Sequence, residues 1–490
     1  MKTVRPSTAL VALVACGAIT LGIAGCGDDS TPDKPAPADT GTVDTGADTG
    51  SPIDTGTVDT GTPDGDAPPP GCPASPTPVD VTADITADTT WDCSKVYTLK
   101  KFVEVKPGAK LTITAGTLVK GTRGTGTGEA SITGIAVLPG GKIASMGTKD
   151  QPVVMTSSET SKKRGDWAGL MILGKAKSNH AAVTTPEGLS AKDQFKYGGN
   201  GADRDDADSS GELHYTRVEW AGYQLSVGNE INAFSFYGVG SGTQLDHLEA
   251  YQGFDDSFEW FGGAANAKYL LAQSGNDDCF DMDNGYRGKL QFLICNRDDI
   301  DGGGNGFEVD NDANASDNAP FTQPMIWNAT MIGKATATTE GGHGFHLRRN
   351  TKGTWSNILA VGWPLSGIFI QPNVDSAGAA LPGTGAEKNA TDGSLVVKNS
   401  IISGTTKDAN STFSQTYIDD ASRKISKTKV ADVKITDTKS TGPNFSLQAG
   451  SPALTGGAEP TDAFFDKSAK DIIGACGTTC PEFEGWTTFK

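Results

Sequence analysis

Two successive stretches of 22 residues constrain this chain more than any other feature. GFDDSFEWFGGAANAKYLLAQS runs from Gly253 to Ser274, and GNDDCFDMDNGYRGKLQFLICN follows from Gly275 to Asn296. Laid one over the other, Phe258 meets Phe280, Glu259 meets Asp281 and Gly263 meets Gly285. A chain that repeats at this period coils, one turn per repeat. The register extends through GNGFEVDND (304–312), GHGFHLRRN (342–350) and LSGIFIQPN (365–373). One column then reads Phe258, Phe280, Phe307, Phe345 and Ile368; two residues on it reads Trp260, Met282, Val309, Leu347 and Ile370. Both are apolar, so both face inward. Asn284, Asn311 and Asn373 recur near the strand ends, where asparagine suits a left-handed bend.

The remaining chain fits the same coil. Val96–Gly121 and Gly134–Thr156 are short alternating strands broken by turns such as Pro107-Gly108. The 63 glycines suit frequent bends, and no long amphipathic helix is evident. Residues 176–212 are charged, glycine-rich and poor in β-branched side chains, which predicts an insertion. The segment 446–458 (SLQAGSPALTGGA) reads as closing coils, with DIIGAC near 471–476 finishing the cap that a solenoid end needs.

The opening MKTVRPSTALVALVACGAITLGIAGC places Lys2 and Arg5 before a short apolar run and small residues, as in a secretory signal. Ile23-Ala24-Gly25-Cys26 resembles a bacterial lipobox. The match implies cleavage before Cys26 and lipidation of its sulfur, leaving residues 1–25 as the signal peptide. Residues 26–71 are Asp, Thr, Gly and Pro with few apolar side chains, too few to offset chain entropy, and predict a disordered linker. The Asp-Thr-Gly triplets inside it have no apolar strands to hold a protease dyad. Residues 72–490 are expected to be the β-helix domain with its capping segments. Its Cys72, Cys93, Cys279, Cys295, Cys476 and Cys480 are an even set suited to disulfides in an exported protein, and proximity pairs them in that order, one of about fifteen connectivities that six cysteines allow. The net charge of −18 argues against nucleic acid and against adsorption to anionic lipid. The glycines at 238, 240 and 242 sit in no βαβ unit, so no nucleotide site is expected.

GDWAGLMILGKA, NAKYLLAQSGNDDCFDMDNGYRGKLQF and GNGFEVDND resemble segments of exported right-handed parallel β-helix lipoproteins of Gram-negative bacteria, a group of uncharacterised function. The resemblance covers about 95–480. It implies an all-β, right-handed parallel β-helix at the cell surface and carries no catalytic residues with it. With Gly27 after Cys26, the outer membrane is the expected location.

Strand alternation sorts the acids. If the Phe column points in, Glu259, Asp281, Glu308 and His346 point out, followed by Phe261, Asp283, Asp310 and Arg348. Carboxylates about 4.8 Å apart on adjacent rungs repel unless a cation or substrate group lies between them. Asp277, Asp278, Asp281, Asp298, Asp299 and Asp301 are candidate ligands for Ca²⁺, which accepts many oxygens in loose geometry. Glu259, Asp283 and His346 are candidate glycan-binding residues, aided by stacking aromatics. The reading is a noncatalytic, lipid-anchored surface protein that binds a glycan, Ca²⁺ or both. The alternative is a polysaccharide lyase or glycoside hydrolase using Glu259, Asp281, Glu308, Asp310 and Arg348. A structural envelope component is the third.

Overall fold

The structure, a computed structural model, describes residues 72–489 apart from 126–130, 190–191, 227–228, 301–302, 336–341, 377 and 440–441. The signal segment, Cys26, the linker and Asp301 therefore lie outside the described residues. The chain winds as a parallel β-helix. Two sheets carry it: a long one whose strands follow chain order from Thr77–Val81 to Ile425–Ser426, and a nine-stranded one from Phe102–Val105 to Ser366–Ile370. Pairing is parallel throughout both. Antiparallel strand pairs among the described residues are two small hairpins, Tyr223–Ser226 with Asn229–Ile231 and Ile435–Asp437 with Asn444–Leu447, beside the isolated bridges Thr184 to Tyr197 and Val374 to Ala380.

The repeat register holds residue by residue. Phe258 pairs with Phe280, Phe280 with Phe307, Phe307 with Phe345 and Phe345 with Ile368. These side chains are fully buried and stack along the axis, with ring centroids 5.5, 5.8 and 5.3 Å apart over the first three steps. Cys279–Cys295 pins the same coil from within, and Cys72–Cys93 and Cys476–Cys480 complete three disulfides.

The bend column differs from the expected one. Asn284 is left-handed (φ 54), whereas Asn311 and Asn373 are not among the positive-φ residues. The continuous left-handed ladder lies instead in the long sheet, at Tyr215, His247, Tyr269, Phe292, Asn328, Asn357 and Asn399, with φ from 44 to 62. Asparagine adopts this region at small cost; an aromatic residue does not. Ring stacking offsets the strain: Tyr215 on His247 at 4.1 Å, His247 on Tyr269 at 4.5 Å, Tyr269 on Phe292 at 4.9 Å.

The segment after Phe445 also departs from expectation. It does not close the solenoid by further coils but returns along the outer face of the long sheet. Asn357 binds the carbonyls of Ala458 and Lys470, Asn328 those of Ala469 and Ile472, and Gln291 the backbone of Asp466. Further back, Trp486 packs edge-on against Tyr215 and His247, and the Thr488 amide donates to Glu249. The physical reason is the apolar outer surface: Leu271, Ile294 and Ile332 would otherwise face water, and Phe445, Phe483 and Trp486 cover them. The end of the coil is closed by Gly385–Asp392 and Thr412–Asp419, where the Tyr417 hydroxyl accepts from the Val397 amide. No helix among the described residues is long and apolar enough to cross a membrane.

The predicted insertion is packed, not loose. Phe195 and Tyr197 set their rings against Phe102 and Tyr237, and with Ala136, Met171, Leu173 and Phe261 form a second apolar cluster on the outer face of the nine-stranded sheet.

Candidate functional site

The acids form one continuous patch on that same outer face. Glu259, Asp281, Glu308 and His346 occupy successive rungs, paired in register, and Phe261 pairs with Asp283 beside them. Ligand oxygens come together in three overlapping groups: Asp255, Asp256 and Asp277; Asp256, Glu259 and Asp281; Asp278, Asp281 and Glu308. Within each group they lie within 4.8 Å of one another. Asp256 and Asp281 each belong to two groups.

The expected residues divide. Asp277, Asp278 and Asp281 are brought together. Asp298 and Asp299 are not: Asp298 accepts from the Thr438 hydroxyl, and Asp299 accepts from Ser274. Their loop lies at the bend that faces the C-terminal segment, so chain proximity to the cluster did not become spatial proximity. Asp255, Asp256, Glu259 and Glu308 take their place.

Glu259, Glu308, Asp310, Asp283, His346 and Arg348 are all buried. They point away from the core, as alternation requires, but lie under other chain. Asn232 donates to Glu259, Asn305 to Glu308, and the Asn305 amide to Asp278. The stacking aromatics expected for a glycan are likewise covered: Phe261 and Tyr237 sit under the insertion. Solvent reaches the patch at Asp277, which is exposed, and at Asp255 and Asp281, which are half-buried.

Electrostatics splits the patch in two. At one end, Arg348 bonds both Glu308 and Asp310, Arg349 bonds Asp310 at 2.8 Å, and His346 Nδ1 lies 3.2 Å from Glu308. Burial pushes the Glu308 carboxyl up, but Arg348, His346 and Arg349 outweigh it and hold it at about 2. The same carboxylates push the Arg348 guanidinium up against its burial. As placed, Arg348 is a counter-ion and not a base. At the other end, burial and mutual repulsion push Asp255, Asp256, Glu259, Asp278 and Asp281 well above the usual carboxylate range; Asp277, which reaches solvent, rises less, to about 6. Arg297 lies beneath this end, yet its guanidinium is engaged by the backbone carbonyls of Gly275, Asn276, Asp277 and Gly303. It shapes the loop that carries Asp277, and its charge offsets only part of the repulsion at Asp277 and Asp278. Asp281 Oδ1 is buried without a hydrogen-bond partner.

Two members were not foreseen. The insertion supplies Glu187 and the hairpin supplies Glu230, and each adds repulsion at Asp255. Burial, then Glu230, raises the Glu187 carboxyl to about 8. No repeat or motif links either to the coils, so nothing in the sequence could have placed them. His343 contacts the Ser366 hydroxyl at 2.6 Å in a buried position.

The family model of the pectate-lyase-like β-helix domain matches residues 83–446. No curated protein and no solved structure matches the chain. The match spans the coils of both sheets and stops where the chain turns back along the long sheet, and the chain belongs to the pectate-lyase-like β-helix family.

Proposed function

We propose that this protein is a noncatalytic surface β-helix that binds divalent cations, Ca²⁺ foremost, on its acidic face. It is held at the outer membrane by lipid on Cys26 and engages a glycan through the bound cation. The observation that carries the reading is the under-compensated run from Asp255 to Asp281, with Asp281 Oδ1 lacking any partner. Buried carboxylates in such contact stay charged only if a cation joins them. The donors are all hard oxygens, shared between neighbouring groups, which suits Ca²⁺ better than a metal that favours nitrogen or sulfur. Burial of Asp256, Glu259 and Asp278 supports an ion there in preference to a bound polymer, which would meet only the exposed rim at Asp277.

Calorimetric titration of the chelator-stripped protein with CaCl₂ tests this. Saturable heat with a raised Tm is expected; neither would occur if the acids only close turns. A glycan array with and without Ca²⁺ tests the second step, and acyl labelling of wild type against Cys26→Ser tests the anchor.

The family description favours one other reading, cleavage of an acidic polysaccharide. Glu259 and Asp281 have oxygens within 4.8 Å, near the carboxyl spacing of about 5–5.5 Å in retaining glycosidases. Release of reducing ends or of unsaturated uronate from polygalacturonate would establish it.

A further inference from the structure

The net charge conceals a division along the solenoid axis. Residues 72–177 contain fourteen Lys and Arg against nine Asp and Glu; residues 178–317 contain eight against twenty-five. Strands follow chain order along both sheets, so the first segment forms the coils at the N-terminal end. The molecule is basic at that end and acidic in the middle.

The basic end presents its charge outward. Lys95, Lys110, Lys142, Lys163 and Lys175 are exposed, and among the described residues none of them forms an ion pair. Lys110 pairs in register with Lys142 on the adjacent rung. Like charges so placed are mutually destabilising without an anion nearby. The Lys175 ammonium reaches over Gly140, the turn residue just before Lys142, so three consecutive coils set lysines at one corner. By contrast the lysines flanking the first coils at Lys101 and Lys106 are neutralised by Asp84 and Glu104. Lys95 and Lys163 arise from other parts of the coil, which spreads the charge over a broad end instead of lining a groove.

We infer that this basic end is a docking face for an anionic lipid surface. Two observations select a membrane over a linear polyanion. The charge is spread around the coils, and Cys72, to which the linker of residues 26–71 joins, lies at this end, just ahead of the outermost strand Thr77–Val81. Docking there turns the acidic face away from like charge on the membrane. The inference takes the envelope location from the proposal above but does not depend on the lipid.

The exported chain carrying Cys26→Ser, which has no acylation site, separates the two. Cosedimentation with phosphatidylglycerol-containing vesicles is expected, with none on pure phosphatidylcholine and loss of binding as salt rises from about 50 to about 500 mM. Each lysine near an anionic surface contributes about fivefold, so Lys110→Gln, Lys142→Gln and Lys175→Gln together weaken binding about a hundredfold. All three are exposed, and an unchanged Tm verifies folding. Equal binding to both vesicle types, salt-insensitive binding or an unaffected triple variant overturns the inference. Binding to polygalacturonate but not to vesicles also overturns it and assigns the face to a glycan. Failure here with wild type still found in the membrane fraction leaves the Cys26 anchor standing.

Discussion

The two outer faces of this solenoid are built on the same rungs and solve opposite problems. The long sheet carries an apolar and aromatic outer surface, and the chain covers it with its own C-terminal segment, down to Trp486 against Tyr215 and His247. Its buried acids have partners too: Glu249 accepts from the Thr488 amide and Glu219 pairs with Arg217. The nine-stranded sheet is covered too, by the insertion and the 223–231 hairpin, yet there the covering chain adds carboxylates, Glu187 and Glu230, to those already present. Coverage that satisfies a surface marks structure. Coverage that worsens a charge imbalance marks a place where a ligand completes the protein.

The largest effect is expected from breaking the satisfied face. Trp486→Ala removes a fully buried indole that roofs the aromatic ladder, and a loss of about 3–5 kcal/mol is expected in denaturant unfolding. Arg348→Met tests the compensated end of the acidic face. It leaves Glu308 and Asp310 buried with His346, Asn305 and Arg349 as partners, and about 3–5 kcal/mol should be lost, with no gain in any cleavage activity.

At the under-compensated end the sign reverses. A carboxyl raised in the folded state holds its proton where the unfolded chain has already released it. Stability without cation therefore falls as pH rises from about 4, the unfolded value. Asp277 at about 6 and Glu187 at about 8 place the upper part of that window. Ca²⁺ should flatten the slope and add about 2.7 kcal/mol at a hundredfold excess over Kd; Asp281→Asn should abolish the gain and raise the stability of the cation-free protein near pH 7. A Tm that ignores both pH and Ca²⁺ would remove the contrast between the faces. Glu308, held at about 2, works the other way: its contribution is present above the unfolded value near 4 and is lost as pH falls toward 2. The smallest effect belongs to Glu249→Gln. Burial already pushes that carboxyl well up, so a neutral isostere that keeps the Thr488 contact should change stability by under about 1 kcal/mol.

Much of the fold was legible in the chain. The Phe258, Phe280, Phe307, Phe345 column and the alternation beside it follow from a period of two within a strand and a fixed residue count per coil, and both are local properties. The outward direction of Glu259, Asp281 and Glu308 follows for the same reason. Nothing local records what lies over a sheet. Whether those acids meet solvent, Arg348 or each other depends on segments 178–199 and 223–232, whose positions no repeat encodes. Asp298 and Asp299 stand next to the cluster in sequence and turn from it at a bend, while Glu187 lies far away in sequence and joins it. The return of residues 445–489 along the long sheet was hidden likewise, because its contacts with Asn328, Asn357 and Tyr215 are irregular pairings of distant positions. The sequence by itself determined the rungs, since hydrophobic burial imposes a periodic pattern on every coil. Only the tertiary structure decided which outer face is satisfied and which is left charged, since electrostatic balance is a sum over neighbours that the chain brings together only on folding.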